Sequence, residues 1–154
     1  MMRKSDFRFS TPLRVRWSEA DPQGIVFNGH YLNFADVGVT EYYRALRAAA
    51  GVKPGEGLDG SEFFAARTLL DYKAPALFDD LLDIHLRVSR FGNSSMSFLV
   101  GIYREDSLLV SGEIVYVHAD QQTRRPTPIP EAFKAAVRAF EHCLPEESGA
   151  AIQG

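Results

Sequence analysis

Apolar and polar residues alternate near the start of the chain. Phe7, Phe9, Leu13, Val15 and Trp17 are interleaved with Arg8, Ser10, Arg14, Arg16 and Ser18, and the rhythm breaks at Pro12. A period of two puts the apolar set on one face, so this stretch predicts one strand, and a proline without an N–H places it at a sheet edge or a bulge. From Asp21 to Gly29 the segment DPQGIVFNG sets turn-forming Pro, Gly and Asn around the triplet Ile25-Val26-Phe27, which predicts a loop with a buried middle. His30 to Ala50 contains no proline. Its polar residues Asn33, Asp36, Thr40, Arg44 and Arg47 fall on one stripe at helical spacing while most other positions are apolar or small. That pattern predicts a long, mostly buried helix, ended by Gly51, which adopts the left-handed terminal conformation at little cost.

Val52 to Glu62 holds three Gly and a Pro and reads as a loop. Four strands are predicted next: Phe63 to Tyr72; Leu82, Ile84, Leu86 and Val88 alternating with Asp83, His85, Arg87 and Ser89; Met96 to Ile102; and, after the polar turn Arg104 to Ser107, Leu108 to Ala119. Short links between neighbouring strands imply antiparallel pairing. Phe133, Ala136, Val137 and Phe140 recur at helical spacing, so a short helix is expected between Pro130 and Cys143, followed by a frayed end rich in small residues. One apolar helix and one antiparallel sheet make an α+β two-layer fold, with the sheet curling around the helix.

The chain has 154 residues, 45% of them hydrophobic and 24% charged, the make-up of one globular domain spanning 1–154. A net charge of -3 supplies no broad positive field, which argues against nucleic acid as a partner. Cys143 is the single cysteine, which excludes an internal disulfide and a Cys-rich metal cage and fits a reducing cytoplasm. The first residues form no apolar leader and no window suits a membrane span. His85, His118 and His142 show no metal-ligand spacing, and no Gly-x-Ser-x-Gly elbow or phosphate-binding Gly-x-x-x-x-Gly-Lys is present. No metal or organic cofactor is expected.

The segment from Arg16 to Tyr31, RWSEADPQGIVFNGHY, resembles the signature of hotdog-fold acyl-CoA thioesterases of the 4-hydroxybenzoyl-CoA thioesterase type. In that family an Asp-x-x-Gly-[Ile/Val]-Val run precedes the central helix and a Tyr begins it, as Asp21, Gly24, Ile25, Val26 and Tyr31 do here. Arg90 to Ser95, RFGNSS, is similar to the family's Gly-x-Ser/Thr-Ser strand entry, and Asp120 to Pro126 to its strand exit. The likeness covers about residues 8–140. It implies a curved antiparallel sheet wrapped around one central helix.

Thioester hydrolysis asks little of a protein. The leaving thiol has a pKa of about 8.5, so no strong general acid is needed. A carboxylate beside the carbonyl carbon and hydrogen-bond donors at its oxygen suffice, and the open N–H groups of a helix N-terminus are such donors. The resemblance assigns the carboxylate to Asp21, as nucleophile or as general base, and the polarising donor to the backbone N–H of Asn28. Many relatives carry His or Tyr at that position, and only the backbone role carries over to Asn. Asn28 is also a good helix N-cap, and Asp21 a good Asx-turn residue. Gly24 and Tyr31 accompany Asp21 as substrate-binding candidates, while Ser94 and Ser95 are placed near the pantetheine and Arg90 and Arg125 near the CoA phosphates. Glu41 is assigned first to an ion pair with Arg44, and His30 to the first helical turn.

The expected activity is hydrolysis of an acyl-CoA to free acid and CoA, with the acyl group open. The family implies a homodimer or homotetramer with the active site between subunits, which a free strand edge also favours. An enoyl-CoA hydratase on the same fold and a non-catalytic acyl-thioester binding module remain as alternatives.

Overall fold

Eight side chains of one helix, Tyr31, Phe34, Ala35, Gly38, Val39, Tyr42, Tyr43 and Leu46, recur at helical spacing and are buried together. Helix α1 (His30–Ala50) lays this face along a sheet, and Gly51 ends it at φ +70°. In this computed structural model, which describes residues 3–147, the strands are β1 (Phe9–Arg14), β2 (Phe63–Tyr72), β3 (Leu81–Phe91), β4 (Ser95–Arg104), β5 (Ser107–His118) and β6 (Glu146–Glu147), with α2 (Glu131–Phe140) between the last two. Their order is β1-β3-β4-β5-β2, all antiparallel, and β6 joins β3 in parallel. No helix among the described residues is long and apolar enough to cross a membrane.

Helix and sheet meet most closely at Gly38, where a Cβ would stand 2.7 Å from both Ile84 and Leu86. Phe34, Tyr42 and Leu46 beside it are fully buried, each contributing roughly 1.5–3 kcal/mol relative to an exposed position. The two sheet edges differ. β1 has six residues and carries Pro12, whereas β2 has ten without a proline and is exposed along almost its whole length. Phe64, Leu69 and Tyr72 of β2, with Leu32 and Val37 of α1, leave apolar surface uncovered on that side. The helix is thus covered less than its composition predicts, by the sheet and by α2, whose Phe133 and Phe140 pack on Tyr43 and Tyr42.

Three further expectations are corrected. The first strand ends at Arg14, because the Glu19 carboxylate accepts the Arg16 N–H (2.7 Å) and turns Trp17–Glu19 into a 3-10 turn that leaves Trp17 75% exposed. Phe27 is 61% exposed, so the buried middle of its loop is Val26, with Ile25 half-buried. The end after Cys143 is held as far as Glu147 by β6, and the rest of the tail lies outside the described residues.

That C-terminal attachment rests on a buried carboxylate. Glu141 follows α2 and accepts the Tyr42 hydroxyl (2.5 Å) and the Val88 N–H (2.8 Å), where the β3–β4 register slips. Burial pushes the Glu141 carboxyl above its ordinary range, outweighing these bonds, and burial together with the Glu141 charge pushes the Tyr42 phenol up too. An acid whose folded-state pKa is raised gives stability at low pH that is lost as pH rises through that value. Melting temperatures between pH 4.5 and 8 should therefore show the wild type losing stability relative to Glu141→Gln as pH rises, and parallel curves would refute this.

Candidate active site

The loop from Ala20 to Gly29 is folded back on itself. Ala20 bridges Val26, the Asp21 N–H donates to Ile25 O (2.8 Å), and the Gly24 N–H donates to Asp21 O (2.9 Å). Gly24 takes φ +83°, a conformation that costs a side-chain-bearing residue roughly 1–3 kcal/mol. A second segment pins the loop from outside. Val26 N–H donates to Ala76 O (2.9 Å), Phe78 N–H donates to Gly24 O (3.2 Å), and Ile25 bridges Leu77. Asp21 is half-buried, and its Oδ1 accepts the Gln23 N–H (2.8 Å), the Asx turn that its sequence context allows. Its Oδ2 has no protein partner among the described residues.

Asn28 is exposed and does not cap the helix; Gly29 is the N-cap residue and no side chain bonds to the helix start. The N–H groups of Asn28 and Gly29 have no protein acceptor among the described residues, while the Asn28 carbonyl accepts the Tyr31 N–H (3.3 Å). The positive end of α1 is therefore open beside the loop of Asp21, which suits an oxygen gaining negative charge. Tyr31 is buried, its ring against Phe34 and Tyr72, and its hydroxyl accepts the Ala76 N–H (2.9 Å). Burial raises its phenol pKa. Its hydroxyl is engaged in holding the neighbouring segment. His30 is half-buried with its ring edge-on to Phe27, and Glu41 pairs with Arg44 as expected.

Arg90, Ser94, Ser95 and Arg125 gather elsewhere. Arg90 is exposed at the end of β3, and Ser94, in the turn before β4, accepts the His118 N–H (2.7 Å). Ser95 is wholly buried, and its Oγ has no hydrogen-bond partner. Arg125 is exposed, its carbonyl bonded to the Asp120 N–H (3.0 Å) at the exit from β5. Two backbone N–H groups, Thr123 first and then Gln122, hold the Asp120 carboxyl below its usual range. A cavity of about 540 Å³ opens at this same end, lined by Val52, Leu58, Phe63, His118, Phe133 and Ala136. Phe63 pairs with His118, whereas Tyr72, at the other end of β2, packs on Tyr31. Ten residues of strand and 21 of helix therefore separate Asp21 from the second group of candidates, about 30 Å either way. Within one chain the two groups do not meet. Among the described residues no three His, Cys, Asp or Glu side chains converge as metal ligands would.

The sequence profile of the thioesterase-like superfamily matches residues 15–137, which takes in the Asp21 loop, α1 and the whole of β2 to β5. The chain belongs to the thioesterase-like superfamily. It is 30% identical over 139 residues to the acyl-CoA thioesterase YbgC of Haemophilus influenzae, covering 89% of this chain and 97% of that protein. It is 27% identical over 128 residues to the acyl-CoA thioester hydrolase YbgC of Escherichia coli O6:H1, covering 82% and 93%. A thioesterase from Thermus thermophilus, crystallised with coenzyme A and Zn, superposes with a TM-score of 0.78 at 26% identity, covering 90% of this chain and 97% of that one. The thioesterase described here has the hotdog fold, its one long helix laid along a curved sheet.

Reading the sequence of this thioesterase missed the segment Ala76 to Phe78, which pins the loop from outside through two backbone hydrogen bonds, because nothing in the residues KAPALFDD marks a pairing with residues 24–26. Tyr31 is the link that can be tested. Tyr31→Phe leaves the buried Ala76 N–H without an acceptor, which should cost about 1–3 kcal/mol. Urea denaturation will measure it, and an unchanged midpoint would show that the bond adds nothing.

Proposed function

We propose that this thioesterase hydrolyses an acyl-CoA to the free acid and CoA, in a dimer whose two sites each combine Asp21 of one chain with the Arg90, Ser94 and Arg125 end of the other. The names of the curated relatives and the CoA bound to the Thermus protein support the substrate class. The observation that carries the shared site is the free edge of β2, ten residues long, unprotected by proline and bordered by exposed Phe64, Leu69 and Tyr72. Such an edge recruits another strand. If two β2 strands pair antiparallel about a two-fold axis, the Phe63 end of one lies beside the Tyr72 end of the other. Arg90, Ser94, Arg125 and the cavity near Phe63 then face the partner's Asp21. The acyl group would enter that cavity while the arginines hold the CoA phosphates.

In this reading the Gln23 N–H orients the Asp21 carboxylate through Oδ1 and leaves Oδ2 to act. Either Oδ2 attacks the thioester carbon, CoA leaves as thiolate and water cleaves the resulting anhydride, or Oδ2 takes a proton from the water that attacks. Both routes build negative charge on the carbonyl oxygen, where the Asn28 N–H stabilises it. The lone thiol of Cys143 suits the reducing cytoplasm in which this reading places the enzyme.

Thiol release across a panel of acyl-CoAs tests the proposal. Asp21→Asn should lower kcat at least about 100-fold on the best substrate, in the range expected for loss of the reacting carboxylate. Undiminished turnover would remove Asp21 from the mechanism, and no thiol release by the wild type would remove the activity. Light scattering should find an even number of chains per particle; a monomer would exclude the shared site.

A further inference from the structure

Glu19 is one of two buried carboxylates among the described residues, yet Arg16, Trp17 and Ser18 around it are all exposed. Burying a charge costs several kcal/mol unless it is well bonded, and an uncharged Ser or Asn could cap so short a turn. Glu19 is well bonded. Oε1 accepts the Arg16 N–H (2.7 Å), and Oε2 the Arg16 Nη2 (3.0 Å). Burial opposes ionisation, but the Arg16 bonds and charge, with His30 nearby, hold the carboxyl below its ordinary value. Its carboxyl is held low, where burial pushes that of Glu141 up.

The main chain of the same residue reaches the opposite end of the loop. The Glu19 carbonyl accepts the Phe27 N–H (3.2 Å), and the Phe27 carbonyl accepts the His30 N–H (3.0 Å). The first bond holds the peptide before Phe27 and the second the peptide between Phe27 and Asn28, whose N–H, like that of Gly29, has no protein acceptor among the described residues. On the near side, Glu19 sets the turn two residues before Asp21. We propose that Glu19 is a positioning residue for thioester hydrolysis, anchoring through its carboxylate the turn that presents Asp21 and through its carbonyl the peptide that presents the Asn28 N–H. This inference rests on Asp21 and Asn28 being the reacting groups. Pro22, Gln23, Phe27, Asn28 and Gly29 are exposed, so side-chain packing does little to hold these atoms if the clasp opens. Displacement of a reacting group by about 1 Å costs on the order of 100-fold in rate.

The test compares Glu19→Asp, Glu19→Gln and Glu19→Ala with wild type and Asp21→Asn, using the acyl-CoA that wild type hydrolyses fastest, at a temperature where thermal melts show every variant folded. A positioning role predicts that Glu19→Ala lowers kcat roughly 10–100-fold while KM stays within about threefold, since CoA and acyl contacts lie elsewhere. Glu19→Gln, which keeps an acceptor for the Arg16 N–H, should lose about tenfold at most, with Glu19→Asp nearest to wild type. The pH dependence of kcat should not move in Glu19→Gln. Full kcat in Glu19→Ala, a loss carried by KM alone, or a displaced pH profile would each overturn the proposal. If Glu19→Ala fails to fold, the kcat and pH profile of Glu19→Gln decide. Full activity in Asp21→Asn would instead defeat the assignment of the reacting carboxylate and leave this comparison separate from it.

Discussion

A single helix of 21 residues laid along a sheet keeps the two ends of this thioesterase about 30 Å apart. The separation is rigid. Gly38 lets the helix backbone approach Ile84 and Leu86, and Phe34, Tyr42 and Leu46 fill the space on either side. At one end the first turn of α1, the Asp21 loop and the Ala76–Phe78 segment are tied together by backbone bonds. At the other end lie the exits of β3 and β5, the exposed arginines and the cavity over Phe63 and Phe133. The Asp21 carboxylate at one end and the candidate phosphate-binding groups at the other stand about 30 Å apart within one chain.

The same packing leaves β2 as an open edge. β1 is short and interrupted by Pro12, so only β2 offers a long unprotected row of backbone donors and acceptors. Apolar residues on both sides of that edge, Leu32 and Val37 from the helix and Leu69 and Tyr72 from the strand, argue that it is meant to be covered. Antiparallel pairing through β2 would satisfy the edge, bury this surface and bring opposite ends together in one step.

Much of the fold was legible in the sequence. α1 shows both its start and its Gly51 stop, and β2 runs from Phe63 to Tyr72 as its composition predicts. These elements are specified locally, by periodicity and by residues with fixed conformational preferences. What escaped was set by distant contacts. Trp17 continues an apolar alternation, but the Glu19 carboxylate pulls its backbone out of the strand. The tail reads as frayed because nothing local says that Glu141 will reach Tyr42 and Val88. Among the candidate site residues, the Asp21 motif was legible as a motif, but the engagement of the Tyr31 hydroxyl by Ala76 and the burial of Ser95 depend on how the sheet closes.

Everything functional in this reading depends on each active site being shared between two chains. Complementation between an Asp21→Asn chain and an Arg90→Ala/Arg125→Ala chain, co-expressed so that they assemble at random, puts that dependence to trial. Each parent alone should be strongly impaired. In a mixed dimer one site collects every substitution and the other none, so a shared site predicts recovery to about a quarter of wild-type kcat/KM when half the dimers are mixed. Activity that never exceeds the average of the two parents would mean that each chain holds a complete site of its own, and the shared site would be wrong.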